Sequence, residues 1–243
     1  MGRAIASALA QAGAHVVAAA RRIERLEELQ QQILAKGHSL EVYPVDSTRN
    51  EDVEDLISRA RKKSGRIDLL IYASGVNIPD RALGVLTDDN WQMLVDTNLT
   101  GAFHCTKAVL PVMRAAGNGL IIFLSSACVQ SPDVSGVAYQ ASKHGLVGLA
   151  HGTRIEEKSH GIRTSVIFPG LCDTEILTRR PLPTPREILE KSLAPEDIAD
   201  AVLFLARLPA RAVVPELQLI PALLSLALTR PELSTAPDRL IFP

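Results

Sequence analysis

Apolar positions along this chain fall into two rhythms. Short apolar runs stand at residues 14–20 (AHVVAAA), 40–45 (LEVYPV), 67–72 (IDLLIY), 120–124 (LIIFL) and 162–168 (IRTSVIF). Each is too short for a helix and rich in β-branched or aliphatic residues, so each predicts a buried strand. Between them the apolar residues recur at helical spacing. This predicts helices over residues 1–12, 21–36, 48–63, 88–115 with a break near Thr100 and Gly101, from about 137 onward, and 195–206. Gly13 and Gly37 are stop signals for two of them. Residues 212–220 predict a last strand. Strands alternating with helices predict an α/β fold, a doubly wound and mostly parallel sheet with helices on both faces. Residues 171–191, rich in Pro, Thr and Arg, read as an excursion from the sheet with at most one short helix. The expectation is one domain over 1–243, with 221–243 as a C-terminal tail.

Composition narrows the classes. Apolar residues are 47% of 243, enough to bury a full core in one α/β domain. A net charge of −1 argues against a nucleic-acid partner. The three cysteines, Cys105, Cys128 and Cys172, are odd in number and far apart. They predict thiols in a reducing compartment rather than a disulfide framework. The most apolar late run, 219–228, is too short to span a bilayer and holds Pro221. A soluble, cytoplasmic protein is expected, with no membrane partner. The six histidines form no Cys/His cluster, so no metal site is predicted. Ser126 lacks the glycine neighbours of a hydrolase nucleophile elbow.

The chemistry points to residues 125–143. Tyr139 and Lys143 are four apart in a helical stretch, so they share a face. An ammonium beside a phenol favours the phenolate. Such a tyrosine can give a proton to a carbonyl oxygen or take one from an alcohol. Ser126 ends the run 120–124 and can hold the same oxygen; strand carboxyl ends are where open α/β sheets place ligands. A tyrosine–lysine pair alone is common on ordinary helices. The serine thirteen residues before it makes the pattern specific.

Together, Ser126, Tyr139 and Lys143 resemble the active-site signature of the short-chain dehydrogenase/reductase family. The resemblance implies that Tyr139 is the acid/base, that Lys143 lowers its pKa and binds the nicotinamide ribose, and that Ser126 orients the carbonyl oxygen. Asn98, in DTNLTGAF, resembles the family asparagine that supports the proton relay. Gly2 resembles the last glycine of the family's dinucleotide-binding turn. Asp46 resembles the aspartate that accepts from the adenine amino group; the plain alternative is a helix N-cap. Gly75 keeps its place in a tight turn beneath the cofactor. Pro169, Gly170 and Thr174 resemble a Pro-Gly-x-x-x-Thr segment that packs on the nicotinamide. After the second predicted strand stand Ala20, Arg21 and Arg22, with no acid for the ribose hydroxyls. Basic residues there suit a 2′-phosphate, so Arg21 and Arg22 favour NADP(H) over NAD(H). The implied activity is an NADP(H)-dependent interconversion of a secondary alcohol and a ketone. The resemblance also implies a homodimer or homotetramer built on the helices of Asn98 and Tyr139. Val214-Pro215-Glu216-Leu217 resembles the last strand of members acting on hydroxy acids or small alcohols, without naming a substrate.

The family's first strand and two earlier glycines do not stand before Gly2. In the doubly wound order that strand is central, so the strands near Val16 and Leu69 are expected to lack ladder partners. The chain is therefore expected to be a shortened form of a longer protein, binding NADPH weakly and folding with low stability. The same feature favours a second reading: a non-catalytic, oligomerising protein on a dehydrogenase scaffold. Ser126, Tyr139, Lys143 and Asn98 oppose it.

Overall fold

A computed structural model describes residues 1–224. The tail expected over 221–243 lies outside the described residues from 225 on. In chain order the elements are α1 (Gly2–Gln11), β1 (Val16–Ala20), α2 (Ile23–Leu34), β2 (Leu40–Pro44), α3 (Asn50–Ser64), β3 (Leu69–Tyr72), α4 (Asp88–Val95), α5 (Gly101–Ala116), β4 (Gly119–Leu124), α6 (Val137–Glu157), β5 (Ile162–Pro169), α7 (Arg186–Leu189), α8 (Pro195–Arg207) and β6 (Glu216–Leu219). Every strand pairing is parallel, as the alternation predicted.

The ladder runs in two pieces. β1 pairs with β2, and β3, β4, β5 and β6 pair in that order; β1 and β3 share no ladder. This matches the expectation for the strands near Val16 and Leu69. Residues 69–71 of β3 are only half-buried, whereas all six residues of β4 are buried. Packing carries the structure across the break. One apolar cluster joins α1, α2 and α8 to Val16 and Leu40 on one side and to Leu120, Ile122 and Leu124 on the other. The alternate residues of β4, Ile121 and Phe123, face the opposite cluster with α3, α5 and α6. Period two along one strand thus makes both cores.

Three expectations change. The long helix does not break at Thr100–Gly101; α4 runs into α5 through a π-helical turn, Asp96–Thr100. Gly101 follows that turn because a Cβ there would strike the Tyr72 hydroxyl and Ser47. The excursion holds two short helical pieces rather than one, a 3₁₀ segment Glu175–Arg179 and α7. The last strand is four residues, not nine, and begins just after Pro215, which offers no N–H to a ladder.

The helix that carries Tyr139 is held at its far end. Arg114 on α5 grips Glu157 on α6, with Nε donating to Oε2 at 2.7 Å. Glu157 is buried, and the Arg114 bond holds its carboxyl below the ordinary range. Gly161 then turns the chain into β5 at φ +73°, where a Cβ would meet the carbonyl oxygen of Gly117. Gly161→Ala combines backbone strain with a clash against main chain. It is expected to cost about 2 kcal/mol and to lower the thermal unfolding midpoint by several degrees, readable by circular dichroism. An unchanged midpoint would mean that the loop relaxes freely.

Candidate active site

The candidate residues gather where β3, β4 and β5 end. β4 delivers Ser125 and Ser126 at its carboxyl end, and the two serines divide. Ser125 is buried and donates through Oγ to the Lys143 carbonyl at 2.9 Å, tying strand to helix. Ser126 is extended (φ −161°, ψ 150°) and caps a 3₁₀ turn, its Oγ accepting from Cys128 N at 3.3 Å. Its hydroxyl acts on the Tyr139 phenol and favours the ionised form.

Tyr139 and Lys143 lie in the first two turns of α6, one helical turn apart on one face. Lys143 is buried, with Nζ donating to the Leu124 carbonyl at 2.9 Å and standing 5.7 Å from the centre of the Tyr139 ring. Gly75 closes this corner. A Cβ there would lie 3.1 Å from Lys143 Nζ and 3.7 Å from Asn98 Oδ1. The glycine is what lets the amine approach the backbone after β3.

Asn98 is fully buried inside the π-helical turn. Its Oδ1 accepts from Val76 N at 2.8 Å, and its Nδ2 donates to Val76 O at 3.1 Å and Ser142 Oγ at 3.0 Å. The side chain therefore locks the π turn, the loop after β3 and α6 together. Tyr72 adds to this by donating its hydroxyl to the Thr97 carbonyl. An unwound helical turn with a satisfied polar residue inside is a common mark of a functional position.

Burial governs the titration here. It pushes the Tyr139 phenol above its ordinary value, with Cys128 and Asp133 adding and Ser126 and Arg81 opposing. The same desolvation brings the Lys143 amine down to about 8. Sequence spacing predicted a phenol made easier to ionise by its lysine. In the folded site desolvation is the largest influence and raises the phenol instead.

Two cavities meet at Tyr139. A long cleft of about 970 Å³ is lined by Gly2, Arg22, Gly75, Lys143 and Thr174 among the residues predicted from sequence. A smaller cavity of about 120 Å³ takes in Ser126, Pro169, Gly170 and Thr174. Thr174 touches both, its Oγ1 donating to the Cys172 carbonyl at 3.3 Å. Nothing in the geometry demands glycine at Gly2, where a Cβ would make ordinary contact with Ala73.

Arg21 and Asp46 stand apart from the other residues predicted from sequence. Neither lines the cleft. Asp46 accepts from Thr48 N at 3.0 Å and Thr48 Oγ1 at 2.8 Å, closing a turn; the N-cap of α3, the plain alternative for Asp46, is Arg49. Burial opposes its ionised form, but those bonds and the nearby Arg21 and Arg49 hold its carboxyl low. Arg25, missed in the sequence, lines the cleft beside Arg22. Both are engaged by Glu175 from the segment after β5, Arg22 at 3.5 Å and Arg25 more closely. The available signal was their i, i+3 spacing across the start of α2.

Among the described residues no group of His, Cys, Asp and Glu is placed to hold a metal ion, and no helix is long and apolar enough to cross a membrane.

Comparison with known proteins agrees with this architecture. A family model described as short chain dehydrogenase matches residues 1–182. An uncharacterized oxidoreductase of Staphylococcus aureus is 32% identical over 221 residues, covering 91% of this chain and 92% of its own. An alcohol dehydrogenase from Thermococcus sibiricus, solved with 5-hydroxy-NADP, superposes with a TM-score of 0.81 at 27% identity, over 94% of this chain and 93% of that one. A serine dehydrogenase complexed with NADP+ superposes with a TM-score of 0.82 at 27% identity, over 92% of each chain. By the matched residues, the shared identity and the parallel α/β architecture alike, the chain belongs to the short-chain dehydrogenase/reductase family of oxidoreductases.

Proposed function

We propose that this chain interconverts a ketone and a secondary alcohol, using NADP(H) and the group Ser126, Tyr139, Lys143 and Asn98. The observation that carries the reading is the meeting of Ser126, Tyr139 and Lys143 at the strand carboxyl ends, where the long cleft and the small cavity share Tyr139, with Asn98 buried behind them against Ser142. Tyr139 Oη gives the proton to the carbonyl oxygen in reduction and takes it back in oxidation. Ser126 Oγ holds that oxygen in line with the phenol. Lys143, as an ammonium, stabilises the phenolate that proton donation leaves. Asn98 keeps the π turn and α6 in register, so that the lysine stays beside the tyrosine.

The residues present fit a 2′-phosphorylated dinucleotide. Arg22 and Arg25 face the cleft at one end, with Ala20 in place of an acid. Lys143 and Tyr139 line the same cleft and would hold a ribose, and Gly170 and Thr174 would stand by the nicotinamide. Bound there, the dinucleotide supplies or accepts the hydride. The NADP-bound relatives support NADP(H) over NAD(H). The same reading carries a homodimer or homotetramer. Trp91 on α4, Phe103 on α5 and Ile155 on α6 are exposed on the helices that would meet, and size-exclusion chromatography tests it.

The test is NADPH oxidation by the purified chain over a panel of ketones. Turnover of none of them, with NADPH or NADH, would leave the non-catalytic scaffold as the surviving reading.

The amine of Lys143 sets a pH limb. Its folded pKa of about 8 lies below the ordinary lysine value, so the folded protein holds fewer protons between about 8 and the unfolded value. Stability gained from this group therefore rises with pH through that window, and below about 8 the buried amine must be kept charged. The charge that favours the phenolate is present below about 8 and lost above it. Carbonyl reduction is expected to hold up to about pH 8 and to decline beyond, and Lys143→Met should abolish the limb. A flat wild-type profile from pH 7 to 9.5 would assign the lysine another task.

A further inference from the structure

We propose that the small cavity is built for a carboxylate-bearing substrate, a short oxo acid and its hydroxy acid, with the carboxylate held by Arg81 and Arg180 and the carbonyl at Tyr139 and Ser126. This rests on the oxidoreductase reading above.

The two arginines come from different parts of the chain. Arg81 stands in the loop after β3 and Arg180 in the segment after β5, and both wall the cavity that Ser126 and Tyr139 also line. Both are half-buried. Among the described residues neither forms an ion pair. Arg81 donates one Nη to the Arg179 carbonyl at 2.7 Å, while its Nε is buried with no partner. Arg180 donates to Thr184 Oγ1 at 3.2 Å. Beyond these two bonds no acceptor among the described residues engages either guanidinium, and a carboxylate in the cavity they wall would supply one.

The charge balance points the same way. Burial and then the neighbouring Arg180 hold the Arg81 guanidinium below its ordinary range, so the two cations are close enough to oppose each other. Asp133 offsets part of this at both. Two guanidinium groups against one acid leave net positive charge facing the phenol. Arg81 is also fixed in place. Gly136, the residue before α6, sits at φ +89° with its Cα pressed on Arg81, where a Cβ would lie 2.7 Å from the Arg81 carbonyl oxygen. The loop of Arg81 is thereby seated against the start of the Tyr139 helix.

A carboxylate accepts from guanidinium groups through two oxygens, with strength and direction that a neutral ketone lacks. A site with polar groups waiting for a partner rejects the analogue that cannot supply one. At about 120 Å³ the cavity holds roughly four waters' worth of volume, so the acid is short. In the balanced reaction the carbonyl carbon gains a hydride from a reduced nicotinamide dinucleotide. The π pair moves to oxygen, and that oxygen takes the Tyr139 proton. The products are the hydroxy acid and the oxidised dinucleotide, with Tyr139 reprotonated from water.

The experiment compares pyruvate with pyruvamide and acetoacetate with acetoacetamide, each with NADPH. The wild-type chain is expected to prefer the acid of at least one pair by about 10- to 100-fold in kcat/KM. Arg180→Met should raise KM for that acid by a similar factor, with NADPH binding and thermal unfolding unchanged as the check on folding. Calorimetric titration with acetoacetate in the presence of NADP+ reads the same site without turnover, and Arg180→Met should abolish the heat. Amides reduced as well as their acids would overturn the carboxylate site and leave the oxidoreductase reading intact. If no carbonyl is reduced, that reading falls, and absence of acetoacetate binding by calorimetry then overturns the anion site as well.

Discussion

Tyr139→Phe is expected to lower turnover by about 10²-fold or more while NADPH binding stays nearly intact. The phenol lines both cavities and can pass a proton to a carbonyl held there. Burial holds it protonated, with Cys128 and Asp133 adding, so at neutral pH it is a donor rather than a base. Phenylalanine keeps the ring against Lys143 and removes only the hydroxyl, so the packing of α6 should survive. Steady-state kinetics on whichever ketone the panel identifies, with NADPH affinity from fluorescence titration, separates the two effects. Near-native turnover by the phenylalanine variant would mean that another group supplies the proton.

Arg22→Ala combined with Arg25→Ala is expected to raise KM for NADPH by about 10²-fold and to leave that for NADH little changed. Each arginine can give one charge-assisted bond to a 2′-phosphate, and an NADH molecule offers no such acceptor. Arg21→Ala should do little, because Arg21 does not line the cleft. Glu175→Gln should act in the opposite sense and lower KM for NADPH by a few-fold. Its carboxylate, held low by Arg25 and then Arg22, competes for the same two guanidinium groups. Initial rates with the two dinucleotides across these four proteins provide the check. A preference lost with Arg21→Ala and kept in the Arg22/Arg25 variant would reverse the assignment.

Much of this protein was legible before folding was considered. Short continuous apolar runs such as Leu120 to Leu124 and helical spacing around Tyr139 are local properties, so they fixed element type and the parallel α/β class. The spacing of Ser126, Tyr139 and Lys143 was legible because all three hang on one strand end and one adjoining helix. Asn98 was legible only through resemblance; what it does, clamping Val76 and Ser142 from inside a π turn, depends on two elements far off in sequence. The pKa directions at Tyr139 and Lys143 also needed the fold, since desolvation depends on what surrounds a group and spacing says nothing of that. Arg21 and Arg22 are neighbours in the chain, yet side chains one residue apart leave a backbone in different directions, and only the packed structure decided which reached the cleft. Arg81 and Arg180 carry no motif at all. They lie about a hundred residues apart, and the parallel sheet brings the loops after β3 and β5 to the same end, where both line one cavity and neither forms an ion pair among the described residues.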